Sequence, residues 1–484
     1  DTSAKASFPE LNEDISATAV VVGGGIAGIT TAYMLEEKGI DTVLLEKDKL
    51  AEKVSGHTTA KITALQETIY TKLTSTFDKE KAHDYADSQK WALEKIKQLV
   101  DENNIACNFQ RSPSYTYALE KNSRNKIRSE LKAAQDAGLE AKLVEDTDLP
   151  FDTFEAVKLE NQAHFHPHKY FIDLAENTDA TIFENSRVKS VNTGKKHAVE
   201  TDSGSVTADH LVLATHFPLL DKGMYFARME PKYSYALLAK LKTKKHTDGM
   251  YINPQKNFRS IRPGPFKNTL IIGGEGHPSG KGDSTKKYRK LEKWVNENFP
   301  VESIEYKWST QDYSTFDNLP HIGKLPLSQN IYIATGFNGW GMTNGTVAGK
   351  IISELITDNS AEWQDLYKPA RLGPKSVKTL SKLIKRNLKT GKTFLNDRRK
   401  IKEQKTSKIQ KNEAKTLKID GEKIAAYRDP KGELHKVSAT CTHLKCIVNW
   451  NNAEKTWDCP CHGSRFTYKG EKIDGPAKKD LQQK

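Results

Sequence analysis

Ala19-Val20-Val21-Val22-Gly23-Gly24-Gly25-Ile26-Ala27-Gly28 reads as a buried parallel strand running into a glycine turn. A helical pattern follows from Ile29 to Lys38 and closes at Gly39; a second apolar run, Thr42-Val43-Leu44-Leu45, ends at Glu46. Strand, glycine turn, helix, strand and acid stand in the order of a dinucleotide-binding βαβ unit. Gly23 allows the tight turn, Gly25 lets a pyrophosphate approach the backbone at Ile26 and Ala27, and Gly28 lets helix pack closely on strand. The helix N-terminus faces the phosphates. Glu46 is placed to accept ribose hydroxyls, with Lys47 at the same strand end. The motif by itself does not choose between FAD and NAD.

The 484 residues allow about three ordinary domains, or one large domain and a small one. With 36% hydrophobic and 28% charged residues, the composition excludes a membrane bundle and a mostly disordered chain. The net charge of +13 is local: Lys368 to Asn412 holds 16 Lys or Arg against Asp397 and Glu403, and the rest of the chain is close to neutral. Of five cysteines, only Cys107 lies outside the window Cys441 to Cys461, which points to a local metal or redox site rather than a disulfide framework. The start, Asp1 to Asp14, is polar and acidic with no signal-peptide pattern, so a cytoplasmic location is expected. Ile15 to Leu35 is uncharged and long enough to span a bilayer, but its three glycines and β-branched run argue for a strand and turn.

What lies downstream chooses the cofactor. Ser55-Gly56-His57-Thr58-Thr59-Ala60-Lys61 follows the acid, and Asp317-Asn318-Leu319-Pro320-His321-Ile322-Gly323 precedes a strand, Asn330 to Thr335. Gly336-Phe337-Asn338-Gly339-Trp340-Gly341-Met342 then opens a helix to about Ile356. Over roughly Thr18 to Leu372 this pattern resembles the glycine-oxidase and D-amino-acid-oxidase (DAO) family of flavoproteins, which oxidise C–N bonds with FAD. The resemblance implies a Rossmann-like α/β FAD-binding fold with an α+β substrate domain. It implies FAD contacts at Thr58, Thr59, Val188, Ala214, Gly336, Gly339, Gly341 and Met342, beside those of the glycine turn. Asp209 to Thr215 resembles the family's returning strand. The helix after Gly341 would aim its N-terminus at the flavin, favouring the reduced, anionic form.

Departures from the family limit the substrate. Members that hold an amino-acid carboxylate usually carry an Arg in the strand before the Asp-x-x-Pro loop; here Trp308-Ser309-Thr310-Gln311-Asp312 puts Gln311 there. A neutral pocket around Gln311 would favour an amine over a zwitterion. Arg262 could supply a cation from another strand, or form an ion pair. No Cys stands where some relatives attach flavin through sulfur, so FAD is expected to be non-covalent, or linked at His57. No catalytic base is assigned. His57, Lys61, Gln311 and Trp340 are candidates for flavin proximity only.

The second cysteine site is Cys441-Thr442-His443-Leu444-Lys445-Cys446 with Cys459-Pro460-Cys461-His462-Gly463-Ser464. Cys-x-His with Cys-x-x-His suits zinc, but each box has an extra Cys at a fixed place and the second runs on as His-Gly-Ser. That pattern resembles a Rieske [2Fe–2S] domain of the cytochrome bc type, a small all-β fold. By that resemblance Cys441 and Cys459 ligate one iron, His443 and His462 the other, and Cys446 and Cys461 form a disulfide between the cluster loops. Two neutral imidazoles raise the potential above that of all-cysteine ferredoxins. Ser464 matches the family serine bonded to a bridging sulfide. High-potential members have Tyr where this chain has Phe466, so a lower potential is expected. Rieske domains usually continue through further strands beyond Gly475-Pro476-Ala477, so the sequence reads as C-terminally shortened.

The expected organisation is an N-terminal tail, 1–16; an oxidoreductase unit, 17–372, with FAD-binding parts 17–76, 161–224 and 309–360 and substrate parts 77–160 and 225–308; a basic linker, 373–412; and the Rieske domain, 413–484. In the linker, Val377, Leu380, Leu383, Ile384 and Leu388 share one helical face between Lys375 and Lys389. A membrane-surface helix and a connector packed on the flavin domain both fit; the connector is preferred. Nucleic-acid binding is excluded for want of interleaved aromatics. Gly391-Lys392-Thr393 lacks the upstream glycine of a P-loop. Gly273-Gly274-Glu275-Gly276 lacks the third dinucleotide glycine and reads as a strand end beside the flavin. His164-Phe165-His166-Pro167-His168 reads as structural or substrate-facing rather than as a metal site.

Joined cofactors imply a converter from two-electron to one-electron chemistry. The expected function is an FAD-dependent dehydrogenase of a C–N bond in a small amine or amino-acid derivative, sending single electrons out through His443 and His462 to an external acceptor. The alternatives are a reductase with reversed flow, and a non-catalytic redox sensor or electron-transfer protein.

Overall fold

The computed structural model describes residues 7–243, 247–255, 257–371 and 377–484, without every side chain of the helix Val377–Lys400. The opening motif forms the centre of an eight-stranded sheet. Strand Asp14–Val22 pairs in parallel with Thr42–Leu45 on one side and with Ser205–Leu213 on the other. Ile331–Thr335 extends the sheet past Ser205–Leu213, and Thr181–Phe183 past Thr42–Leu45. Strands buried on both faces explain the unbroken apolar runs.

Helix Ile26–Glu36 follows the glycine turn, and every residue from Ile26 to Leu35 is buried. It lies between this sheet and the helix Gly341–Thr357. A Cβ at Gly28 would lie 1.8 Å from the Gly23 carbonyl oxygen, so no larger residue admits this approach. The uncharged stretch Ile15 to Leu35 is thus a strand, a turn and part of a helix. Among the described residues no helix is long and apolar enough to cross a membrane.

A nine-stranded sheet forms the second layer, running from Val301–Thr315 through Met229–Leu241, Thr269–Pro278 and Arg259–Pro263 to Gln110–Tyr117 and Ala156–His164. Gly273, Gly274 and Gly276 lie within Thr269–Pro278, with Gly391 inside the helix Val377–Lys400. The C-terminal part contains a three-stranded sheet, 414–438, and a four-stranded sheet, 449–474, around a core that includes Cys441, Cys459, Trp457 and Phe466.

The basic segment corrects one expectation. Helix Val377–Lys400 is longer than predicted, and Ile384 and Leu388 are 50% and 69% exposed rather than packed on the flavin domain. The helix still touches the oxidoreductase unit, through Asn387 Nδ2, which donates to the Ala227 carbonyl at 3.5 Å, and through Thr393, which accepts from Lys281 Nζ at 3.2 Å; its distal end docks on the C-terminal core through Phe394, with Ile401 just beyond the helix. Residue Lys375 and the side chains of Val377, Leu380 and Leu383 lie outside the described residues.

Candidate active site and cluster site

One cavity of about 680 Å³ opens at the carboxyl ends of the parallel strands, within the range of small-molecule and cofactor sites. Its floor is the glycine turn. Gly24 N–H donates to Glu46 Oε2 at 2.7 Å and Asp48 N–H to Glu46 Oε1 at 3.0 Å. Burial raises the Glu46 pKa, and these two bonds oppose the rise. Ser55, not singled out from sequence as a site residue, accepts from Ile26 N–H at 3.0 Å and caps the helix start. A Cβ at Gly25 would sit 2.9 Å from the Ser55 oxygen, so the turn presents bare backbone to the cavity.

Of the residues expected at FAD, Gly23, Gly25, Ile26, Ala27, Glu46 and Lys47 line this cavity. So do Thr58 and Thr59 soon after the acid, Val188 and Ala214 from mid-chain, and Gly336, Gly339, Gly341 and Met342 further on. Gly28 does not; it serves the helix–strand contact. Asp312 accepts from Gly339 N–H and lies 3.2 Å from His216 Nε2, fixing the loop that opens helix Gly341–Thr357.

His57, Lys61 and Trp340 also line the cavity. Lys61 is buried, and its Nζ donates to the Tyr251 carbonyl at 2.6 Å. Burial, and then the nearby Arg262 charge, push its pKa well below the ordinary lysine value. Arg262 is neither a free cation nor an ion pair. Its guanidinium donates to the carbonyls of Thr59, Pro263 and Phe165, and burial lowers its pKa to about 9. His164 and His166 are likewise absorbed by the fold. Burial pulls them down to about 3 and about 4, and His166 Nδ1 accepts from Lys169 N–H at the start of helix Pro167–Glu176.

Gln311 is the main correction. It does not line the cavity, because side chains alternate along a strand. From Val301–Thr315 the even positions Trp308, Thr310, Asp312 and Ser314 face the cavity. The odd positions face the C-terminal domain: Ser309 Oγ donates to Glu454 at 2.7 Å, Gln311 Nε2 to Gly463 O at 2.9 Å, and Tyr313 Oη to Gly475 O at 2.9 Å. Gln311 is 1% exposed and cannot set the charge of a substrate pocket.

In that domain, Cys446 and Cys461 form a disulfide, leaving Cys441 and Cys459 as buried free thiols. The backbone holds both loops: Cys441 N–H donates to Cys446 O, and Cys459 N–H to Ser464 O, each at 2.8 Å. The Cys441 thiol is lowered to about 7, chiefly by a hydrogen bond with Cys459. The His443 and His462 rings lie 5.1 Å apart. Two thiols and two imidazoles brought together by loops pinned to each other form the donor set of a mixed cysteine–histidine cluster.

A contact from the other unit reaches the histidine rings: Phe226 of the oxidoreductase unit packs edge-on against both, at 5.4 and 5.2 Å. Sequence reasoning missed the other link altogether. Lys472 to Lys478 of the C-terminal domain line the large cavity, and Ala477 N–H donates to Ser464 Oγ at 3.0 Å. Nothing local in that segment signals the contact.

Residues 18–355 match the family described as FAD dependent oxidoreductase (DAO). The chain belongs to that family. Residues 399–484 of this DAO-family oxidoreductase match the Rieske [2Fe–2S] domain, so its cofactors are FAD and a [2Fe–2S] cluster. It is 35% identical, over 99% of its length and 95% of the relative's, to YhfW of Bacillus subtilis (strain 168), described as a Rieske 2Fe-2S iron-sulfur protein. It is 24% identical to gamma-glutamylputrescine oxidoreductase of Escherichia coli (strain K12), covering 72% of this chain and 86% of that protein. Among solved structures, glycine oxidase from Geobacillus kaustophilus shares the fold, with a TM-score of 0.62 at 15% identity over 74% of this chain and all of that one.

Proposed function

We propose that this oxidoreductase is a dehydrogenase that oxidises a C–N bond of an amine or amino-acid derivative and passes the electrons singly through its Rieske centre to an external acceptor. One observation carries the reading: the strand Val301–Thr315 lines the large cavity with one face and, with the other, bonds the cluster loop at Gly463 and the neighbouring Gly475. In this reading the glycine turn, Glu46, Lys47, Thr58, Thr59, Val188, Ala214 and the Gly336–Met342 loop hold FAD. Cys441 and Cys459 ligate one iron, and His443 and His462 the other. When bound, FAD supplies a two-electron acceptor and the cluster a one-electron one.

The chain's own residues shape the substrate end. Tyr235, Phe258, His277 and Trp308 give it aromatic walls, and Tyr235 Oη lies 2.8 Å from His277 Nε2. Among the described lining residues Arg187, beside Val188, is the only arginine. Among the described residues no bidentate carboxylate clamp stands at the aromatic end, which favours an amine. Lys61 Nζ, held by the Tyr251 carbonyl and biased toward its neutral form, can accept the proton that an ammonium substrate loses. The proposed organisation is an oxidoreductase unit to about residue 372, a basic linker to 412, and the Rieske domain beyond.

The test is low-temperature EPR of anaerobic holoprotein mixed with a panel of amines and amino acids. A reduced Rieske signal with one substrate class, without added reductant, is the expected result. A silent panel, with a signal only after dithionite, would overturn this direction of flow.

A further inference from the structure

We propose that the surface around Leu444 docks an acidic one-electron carrier protein, through an apolar contact with a basic rim. The proposal rests on the reading that electrons cross the Rieske centre, and adds the place and the chemistry of the partner.

Leu444 follows His443 in the first cluster loop and is 46% exposed, one of ten large apolar side chains left exposed among the described residues. A second, Met224, is 63% exposed two residues before Phe226, whose ring packs on His443. Cations gather around this centre. Exposed Lys445 comes next in the chain, and Arg398 Nη2 donates to its carbonyl at 2.8 Å. Exposed Lys479 is tied to the same loop by Thr442 Oγ1, which donates to its carbonyl at 2.6 Å. Exposed Lys478 precedes Lys479 in the chain. Two acids stand nearby, Asp480, which accepts from Lys472 N–H, and Asp221, which accepts from Tyr225 N–H, fewer than the four cations Arg398, Lys445, Lys478 and Lys479.

Access points to the same place. Ser309, Gln311 and Tyr313 cover one side of the C-terminal domain, so an outside carrier must approach from elsewhere. An apolar centre gives contact without tight binding, and opposite charge accelerates encounter, as a transient redox complex needs. Each encounter moves one electron: the carrier is reduced as the centre is oxidised, or the reverse. Two encounters balance one two-electron oxidation of substrate.

The probe is a plant-type [2Fe–2S] ferredoxin, which is acidic. Reduced with dithionite, it gives electrons to a histidine-ligated centre, because all-cysteine clusters have the lower potential. Stopped-flow mixing with oxidised holoprotein measures the bimolecular rate, and calorimetry with oxidised ferredoxin measures binding. Both should weaken as salt rises. Lys445→Glu with Lys479→Glu should lower both by roughly tenfold or more at low ionic strength. Lys290→Glu, on the exposed side of helix Ser284–Asn298, should not.

An unchanged EPR spectrum of the dithionite-reduced variant shows that its cluster is intact; if the double variant loses the cluster, Lys479→Glu alone carries the comparison. Equal rates and affinities in variant and parent would overturn the proposal, as would absent ferredoxin binding or tighter binding of basic cytochrome c. Substrate-driven cluster reduction, measured without carrier, separates the two readings. If it persists while docking fails, only the docking site falls; if docking holds and no substrate reduces the cluster, only the dehydrogenase falls.

Discussion

Gln311 Nε2 donates to the carbonyl oxygen of Gly463 at 2.9 Å, and so joins the strand that walls the large cavity to the loop that carries His462. Its neighbours in the strand, Thr310 and Asp312, turn the other way and line the cavity. A single strand therefore holds the two proposed redox sites in fixed relation, with no flexible element between its two faces.

Gln311→Ala should loosen this relation without touching the cavity. The docking contact loses about 1 kcal/mol, equivalent to roughly a fivefold weaker population of the docked state. Substrate-driven bleaching of FAD should keep its rate, while the cluster reduction that follows it slows. Stopped-flow absorbance at the two chromophores separates the steps. Equal slowing of both would show that Gln311 acts on the cavity after all.

Gly28→Ala should cost stability and FAD together. Its methyl would meet the Gly23 carbonyl, a backbone atom that cannot move away without opening the turn. Overpacking of this kind costs roughly 1–3 kcal/mol. The purified variant should carry less FAD per chain and melt at a lower temperature; full flavin content would contradict the packing argument.

Asp317 should govern part of the acid limb of stability. Its buried carboxylate is bonded by Arg371 Nε at 2.6 Å and Nη2 at 3.0 Å, and its pKa is lowered despite burial, chiefly by the Arg371 charge. A depressed pKa means that the contribution is present above the ordinary aspartate value and is lost as pH falls through the folded value. Asp317→Asn should destabilise by roughly 3–5 kcal/mol at neutral pH, because it leaves Arg371 buried without its counter-charge. Denaturant melts at neutral and acid pH should show the gap between variant and parent closing as pH falls.

Cys446→Ser opens the disulfide to Cys461 across a separation of 15 residues, for which the loss is about 3 kcal/mol. The cluster loops should loosen, and the reduced Rieske EPR signal should fade on mild heating while FAD remains bound. Loss of both cofactors together would mean that the disulfide supports the whole chain.

Phe466→Tyr adds a hydroxyl in the core that holds the cluster cysteines, where Phe466 is fully buried. One more donor to a charged acceptor, worth about 1.4 kcal/mol or more, corresponds to an increase of about 60 mV for a one-electron couple. Protein-film voltammetry should record the rise. An unchanged potential would remove the explanation offered for a low-potential centre.

Much of the site was legible because its signals are short in range. The glycine turn, Glu46, the Gly336–Met342 loop and the paired cysteine–histidine boxes each depend on spacing within a few residues, and a glycine position or a ligand pair is recognisable wherever the chain later goes. Spacing along the chain also predicted the strand at 308–312. It did not say which face of that strand looks into the cavity. Gln311 was assigned to the pocket, yet the parity of side chains had to be set against a second domain before its direction was decided. The same holds for Phe226 against His443 and His462, for Lys472 to Lys478 in the cavity wall, and for Arg371 on Asp317. These contacts join residues far apart in the chain, and each depends on how separately folded layers dock. The sequence by itself determined the two cofactor folds, since local backbone geometry and ligand spacing are written in neighbouring residues. Only the tertiary structure decided that the two sites share a wall, since packing between domains is the sum of many distant contacts and leaves no local mark.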